Sequence, residues 1–196
     1  MNSENENTKM KQEDHEWLRI GVVTARFNSE ITEKLEVGAL DYLEEIGAEV
    51  FAVRVPGAVE IPLAVKALLD LGLDGVVALG AVIRGETSHY DYVCNSVERG
   101  CSQLALEYKK PVGFGVLTTE NEAQALDRAG GEHGNKGQEA AQVVVEMIGL
   151  LNELQAANEA VVESKARSRS VAKETKTSKK KSKTQRNTRW SKKTKK

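Results

Sequence analysis

The 196-residue chain carries 28 basic and 29 acidic side chains, for a formal net charge of −1, with 40% hydrophobic residues and only 5% aromatics. That length suits one domain with a real core, and the absence of a run of about 18 apolar residues argues against a membrane span. The near-zero charge hides a division: residues 165–196 hold 15 Lys and Arg against one acid, Glu174, while the first 164 hold 13 basic against 28 acidic residues.

Residues 1–16 are polar and mostly acidic. They lack the basic start and apolar stretch of a signal peptide and are too acidic for a transit peptide, which predicts a cytoplasmic protein with a flexible acidic N-terminal tail. Leu18 to Ala25 reads as a buried, β-branched strand. Asn28 or Ser29 is placed to cap the next helix, whose inner face is Ile31, Leu35, Ala39, Leu43 and Ile46, with Gly47 as its stop. Glu49 to Val55 is a second strand, ended by Pro56-Gly57. A helix follows over about Val59 to Leu71, with Pro62 in its first turn, where a missing amide hydrogen costs little.

Gly75 to Ile83 is apolar on both faces and predicts a central parallel strand. A long helix from about Ser88 to Tyr108 comes next, then a strand over Pro111 to Leu117, a short helix over Glu122 to Ala129, and a last helix over Gly137 to Leu154. Cys94 and Cys101 lie seven apart on one helix, too distant to bridge, and read as free residues of a reducing compartment. Strict β/α alternation predicts a three-layer αβα fold: a flavodoxin-like, four-stranded parallel sheet with helices on both faces. Beyond the last helix the apolar period fades, and residues 156–196 read as a disordered basic tail.

In such a sheet ligands bind beyond the carboxyl ends of the strands. Those ends carry Arg26-Phe27-Asn28, Pro56-Gly57-Ala58, Arg84 to His89, and Thr118-Thr119. Gly85-Glu86-Thr87-Ser88 joins a buried strand to a helix, where free N–H groups and the helix dipole favour an anion; Arg84 adds charge nearby. An ordinary capped turn would look the same. His89 in the next helix's first turn is a candidate proton carrier, or merely an exposed side chain. A second cluster, Asp127 to Gly137, has four glycines, Arg128 and Lys136, suited to a phosphate or carboxylate. It lacks Gly-Lys-Ser/Thr and a preceding strand, so it is no P-loop, and the scattered glycines do not support a dinucleotide fold. Phe27 and Phe114, read as standing at or near strand ends, are placed to stack on a flat heterocycle or to pack in the core. Glu60 can accept from a polyol or simply favour a helix start. No metal-ligand spacing and no Ser-His-acid or Cys-His pairing stands out, leaving a cofactor-free reaction of a phosphorylated substrate.

Five ordered stretches carry a resemblance: A-R-F-N (25–28), V-P-G-A-V-E-I-P (55–62), G-A-V-I-R-G-E-T-S-H-Y-D-Y-V (80–93), F-G-V-L-T-T-E-N (114–121) and D-R-A-G-G-E-H-G-N-K-G (127–137). Over residues 17–155 the chain resembles the 6,7-dimethyl-8-ribityllumazine synthase family of riboflavin biosynthesis. The resemblance implies a transferase that condenses 5-amino-6-ribitylaminouracil with 3,4-dihydroxy-2-butanone 4-phosphate, giving the lumazine, phosphate and water with no cofactor or metal. Carried over residue by residue, it implies that Phe27 stacks on the pyrimidine and that Ala58, Val59 and Glu60 line the ribityl side. Ala81, Val82 and Ile83 would offer main-chain contacts to the heterocycle. Glu86 (through its backbone N–H), Thr87 and Arg128 would hold the phosphate, and His89 would move the proton. Phe114, Arg128 and Lys136 would come from a neighbouring subunit of a pentamer, which in some members is one of twelve in an icosahedral shell, with riboflavin synthase as a further partner.

Two departures stand out. Val59 replaces a large aromatic found in many members, and Gly131-Glu132 replaces a more usual Thr-Lys pair, which predicts altered affinity with activity retained. The basic tail lies outside the resemblance and predicts either a polyanion or nucleic-acid partner or a tether drawn to the acidic body. The rival to an enzyme is a non-catalytic shell or lumazine-binding protein whose tail packages polyanions; the intact Thr87, His89 and Arg128 favour the enzyme.

Overall fold

The computed structural model describes residues 18–191, with side chains described through residue 165. The chain alternates β1 (Arg19–Ala25), α1 (Ser29–Glu45), β2 (Glu49–Val55), a 3-10 turn (Ala58–Glu60), α2 (Ile61–Asp70), β3 (Gly75–Ile83), α3 (His89–Tyr108), β4 (Val112–Thr119), α4 (Glu122–Asp127), a small hairpin β5 (Ala129–Gly131) and β6 (Gly134–Asn135), and α5 (Lys136–Ser191). The four main strands form one parallel sheet in the order β2-β1-β3-β4. The expected three-layer architecture is therefore the observed one. Because the chain steps outward from β1 to β2 and then crosses back to β3, the topological switch point lies between the carboxyl ends of β1 and β3.

Strand alternation sorts the core into two layers. Ile20 and Val22 of β1 and Val77, Leu79 and Ala81 of β3 pack with Ile31, Leu35, Ala39 and Leu43 of α1 and with Ala140, Ala141, Val144, Val145 and Ile148 of α5. On the other face, Val23, Ala25, Val76, Ala78, Val82 and Val116 meet Ile61, Val65, Leu68 and Leu69 of α2 and Val97, Cys101 and Leu104 of α3. Fully burying each of the larger aliphatics, such as Leu35 or Ile61, contributes about 1.5–3 kcal/mol, which makes β1 and β3, apolar on both faces, the rigid centre of the molecule. Cys94 and Cys101 are both free, and burial pushes the Cys101 thiol up to about 12.

Several local expectations need correcting. Asn28 does occupy the cap position of α1, but in the left-handed region (φ 60) and without a side-chain cap bond. Its carbonyl accepts from the Ile31 and Thr32 amides instead, which frees the side chain for another task. β4 runs on to Thr119, and α4 stops at Asp127 to make room for the unforeseen hairpin. α5 does not end near Leu154: it is helical to Ser191, across the segment read as a disordered tail. No glycine or proline follows Gly149, so nothing in the backbone chemistry stops a run rich in Ala, Glu, Lys and Arg. The chain divides into two compact units, through Gly149 and from Leu150. In the second, every residue from Asn152 to Lys165 is exposed.

Candidate active site

The site is best built outward from the switch point. Pairing between β1 and β3 stops at Thr24↔Leu79, whereas pairing between β3 and β4 continues to Ile83↔Thr119. The β1-facing edge of Gly80–Ile83 therefore has no strand partner. Asn28 fills the first position: its Nδ2 donates to the Ala81 carbonyl at 2.8 Å, tying the exit of β1 to β3. Strand alternation turns the N–H and C=O of Ile83 to that same open side, while those of Val82 face β4. Ala81 and Ile83 thus present main-chain groups at the crevice, and Val82 contributes a buried side chain to the floor.

Above this edge stands Phe27, just past β1 and 71% exposed, in a chain that buries most of its large apolar side chains. Its amide donates to the Pro56 carbonyl at 3.1 Å, which joins the exits of β1 and β2. Ala58, Val59 and Glu60 make the 3-10 turn beyond β2; Val59 and Glu60 are exposed, and a Cβ on Gly57 would lie 3.2 Å from Glu60 Oε2, so the carboxylate folds back over the Pro56-Gly57 corner.

The third wall is the Arg84–His89 loop, exposed along its whole length. His89 opens the 20-residue α3, with its amide 3.4 Å from Thr87 Oγ1. Ser88 precedes it with no side-chain cap bond, and a Cβ on Gly85 would meet nothing within 4 Å. Apart from the His89 amide, which meets the Thr87 hydroxyl, the helix start has no side-chain cap and faces open space, an arrangement that suits an anion. Arg84, expected to add charge beside this helix start, has acidic partners of its own. Its Nε pairs with Glu120 Oε2 at 2.9 Å, its Nη2 with Asp91 Oδ1 at 3.3 Å, and its guanidinium carbon sits 4.0 Å from the centre of the Tyr90 ring. Arg84 clamps the loop between the end of β4 and the first turn of α3.

Phe114, Arg128 and Lys136 lie elsewhere. Phe114 pairs with Ala78, not at a strand end but four residues below Val82, roughly 13 Å along the strand. It is 41% exposed on the edge strand of the α2/α3 face. Arg128 follows α4, on the α1/α5 side, with Nη1 donating to the Gln124 carbonyl at 3.0 Å. Its own carbonyl accepts from the Lys136 amide at 2.9 Å, so the two cations are bound through the backbone. Lys136 Nζ is held by Glu139 at 2.8 and 2.7 Å.

The Asn135-Lys136-Gly137 run has a mechanical reason. Asn135 Oδ1 accepts from the Gly137 and Gln138 amides, capping α5, while its Nδ2 donates to the Lys34 carbonyl of α1 at 2.8 Å. Gly137 lets the two helices touch: a Cβ there would lie 2.0 Å from the Leu35 carbonyl oxygen.

Two features escaped the sequence reading. His133 and Asp127 are hydrogen-bonded across the hairpin through Nδ1 and Oδ2. A cavity of about 240 Å³ lies behind Arg26, lined by Thr24, Ala25, Ser29, Thr32, Glu33 and Arg54. The Thr24 and Thr32 hydroxyls in it are 1% exposed and without a protein partner, which is the setting in which a buried water is retained. Nothing in residue type or spacing announces either feature.

Among the described residues no helix is long and apolar enough to cross a membrane. A family model described as 6,7-dimethyl-8-ribityllumazine synthase matches residues 17–152. Among curated relatives of that same description, one from Bdellovibrio bacteriovorus is 70% identical over 141 residues, covering 71% of this chain and 79% of that protein. One from Coxiella burnetii is 50% identical over 146 residues, covering 72% and 97%. One from Desulfovibrio desulfuricans is 48% identical over 147 residues, covering 73% and 94%. The match spans every element of the switch-point crevice and the Asp127–Gly137 hairpin, and on this evidence the chain belongs to the 6,7-dimethyl-8-ribityllumazine synthase family.

Proposed function

We propose that this protein condenses 5-amino-6-ribitylaminouracil with 3,4-dihydroxy-2-butanone 4-phosphate to 6,7-dimethyl-8-ribityllumazine, releasing phosphate and water. The observation that supports it most is the crevice at the β1/β3 switch point, where an exposed aromatic, an open strand edge and an uncapped helix start converge. Phe27 is suited to stack on the pyrimidine, with the main-chain groups of Ala81 and Ile83 meeting the edge of the ring over Val82. Ala58, Val59 and Glu60 border the ribityl chain, Glu60 accepting from its hydroxyls; Val59, smaller than an aromatic, leaves that wall looser. The Glu86 amide and the Thr87 hydroxyl take the phosphate at the start of α3.

Imine formation, phosphate loss and ring closure need protons moved and a leaving group held, more than a strong nucleophile. His89, first residue of the same helix, is placed to carry the proton between amine, carbonyl and leaving phosphate. Holding both substrates against each other supplies much of the remaining barrier reduction. Phe114, Arg128 and Lys136 stand on other elements than those that line this crevice, and we assign them to the crevice of a neighbouring subunit in a homo-oligomer, a pentamer or a shell of pentamers. Riboflavin synthase is the natural consumer of the product. The two free thiols fit a reducing compartment such as the cytoplasm.

The test is direct: mix the two substrates with the full chain and follow lumazine fluorescence. Formation well above the uncatalysed background is expected, and a rate equal to background would leave the non-catalytic shell or lumazine-binding reading in its place. In the same assay His89→Ala is expected to lower kcat about a hundredfold, the low end of acid–base contributions because orientation survives, while gel filtration shows an unchanged assembly. A wild-type rate would remove His89 from the proton-transfer role.

A second reading concerns residues 165–196, where 15 basic side chains stand against one acidic. We infer a polyanion partner, bound through counterion release. A gel-shift of an RNA fragment by the full chain is expected at low salt, weakening steeply with added salt and lost on truncation after Glu163. No shift at low salt would leave the tail as a tether drawn to the acidic domain.

A further inference from the structure

The hairpin that carries Arg128 is folded back on the end of α4. Asp127 holds it there with both oxygens: Oδ1 accepts from the Glu132 amide at 2.8 Å, and Oδ2 is hydrogen-bonded to His133 Nδ1. The fold-back is close, since a Cβ on Gly131 would lie 2.7 Å from the Asp127 Cα and 2.9 Å from its Oδ1. Gly130 and Gly134, with φ of 114 and 72, provide the turns on either side. The same Oδ2 that meets His133 lies 3.8 Å from Arg128 Nη1, near enough to attract the guanidinium but too far for a hydrogen bond. Of the other charged side chains on the hairpin, Lys136 is neutralised by Glu139 and Glu132 is exposed, while α1 contributes the Lys34 carbonyl to Asn135. Arg128 makes one hydrogen bond, to the Gln124 carbonyl, and only a loose ion pair with Asp127.

We propose that His133 is a positioning residue for the reaction: by occupying Asp127 Oδ2 it keeps that carboxylate from capturing Arg128, and so keeps the guanidinium free to hold the substrate's phosphate. The inference rests on the assignment of Arg128 to the phosphate made above. Burial opposes ionisation of Asp127, but the hydrogen bond from His133 and those from the hairpin amides hold its carboxyl below the usual range. Removing the imidazole frees Asp127 Oδ2, which already lies 3.8 Å from Arg128 Nη1, to close on the guanidinium.

Steady-state kinetics on the full chain test this. His133→Ala is expected to raise KM for the butanone phosphate about fivefold, the scale of an exposed ion pair, with kcat within twofold of wild type. The decisive variant is Asp127→Asn added to His133→Ala. An amide carries no negative charge and holds a guanidinium only as weakly as any neutral carbonyl, so KM should return to within about twofold of wild type. A hairpin that had simply come loose would not be rescued by a second lesion in the same latch. An unchanged KM in His133→Ala, or a double variant no better than the single, overturns the proposal. Arg128→Ala measured alongside separates the two levels: if it leaves KM unchanged, the phosphate assignment itself is what fails.

Discussion

Arg128→Ala is expected to raise KM for the butanone phosphate roughly thirtyfold, the scale of a lost charge-assisted hydrogen bond, and to leave kcat within about threefold. Two cations stand on the Asp127–Gly137 segment, and their surroundings distinguish them. Lys136 is held by both oxygens of Glu139, one turn into α5, and binding an anion would mean breaking that pair. Arg128 spends one N–H on the Gln124 carbonyl, leaving most of its five donors for a ligand. Its planar fork can meet two phosphate oxygens at once, which an ammonium cannot, so Arg128→Lys should recover only part of the loss. An effect confined to KM fits a group that binds the phosphate before and during the reaction. A comparable fall in kcat would instead place Arg128 at the leaving step, and an unchanged KM would remove it from the site.

The second large effect concerns Gly137, where two rules give opposite signs. As the second residue of a helix, glycine is a poor former, and on propensity alone Gly137→Ala should stabilise the protein by up to about 1 kcal/mol. Packing says otherwise. The added methyl would lie 2.0 Å from the Leu35 carbonyl oxygen and 2.6 Å from its carbon, both backbone atoms at the centre of α1. Neither helix can yield by rotating a side chain, so α5 must move away from α1, opening the layer that holds Ala140, Ala141 and Val144. A net loss of about 3 kcal/mol is expected, at the upper end of overpacking costs because the clash is with main chain. Urea denaturation measures it, and a stabilised variant would show that this helix contact is looser than described. Because Gly137 adjoins Lys136 and the Asn135 cap, the same variant should also bind the phosphate substrate less well.

Much of this architecture was legible in residue order. Alternating apolar strands and amphipathic helices required a parallel sheet, and Gly47, Pro56, Gly72, Gly85 and Pro111 marked the ends of α1, β2, α2 and β3 and the start of β4. Gly85-Glu86-Thr87-Ser88 announced the helix start at His89 by chemistry alone. What stayed hidden were choices between partners. Asn28 looked like a helix cap because Asn is good at capping; its side chain bonds Ala81 instead, 53 residues away, since the backbone carbonyl already serves the first turn. Arg84 was read only as charge near an anion site; its partners in the fold are Glu120 and Asp91. Phe114 looked like a strand-end aromatic until the register with Ala78 put it lower in the sheet.

By itself, then, the sequence determined the layers, the strand polarity and the family, because periodicity and motif order are local properties written along the chain. Only the tertiary structure decided the rest: which edge of β3 lacks a partner, which cation is already paired, and which carboxylate competes for Arg128. Those outcomes depend on register and on distances between residues remote in the chain. A polar side chain takes whichever partner the fold brings within about 3 Å, and no spacing along the sequence specifies that.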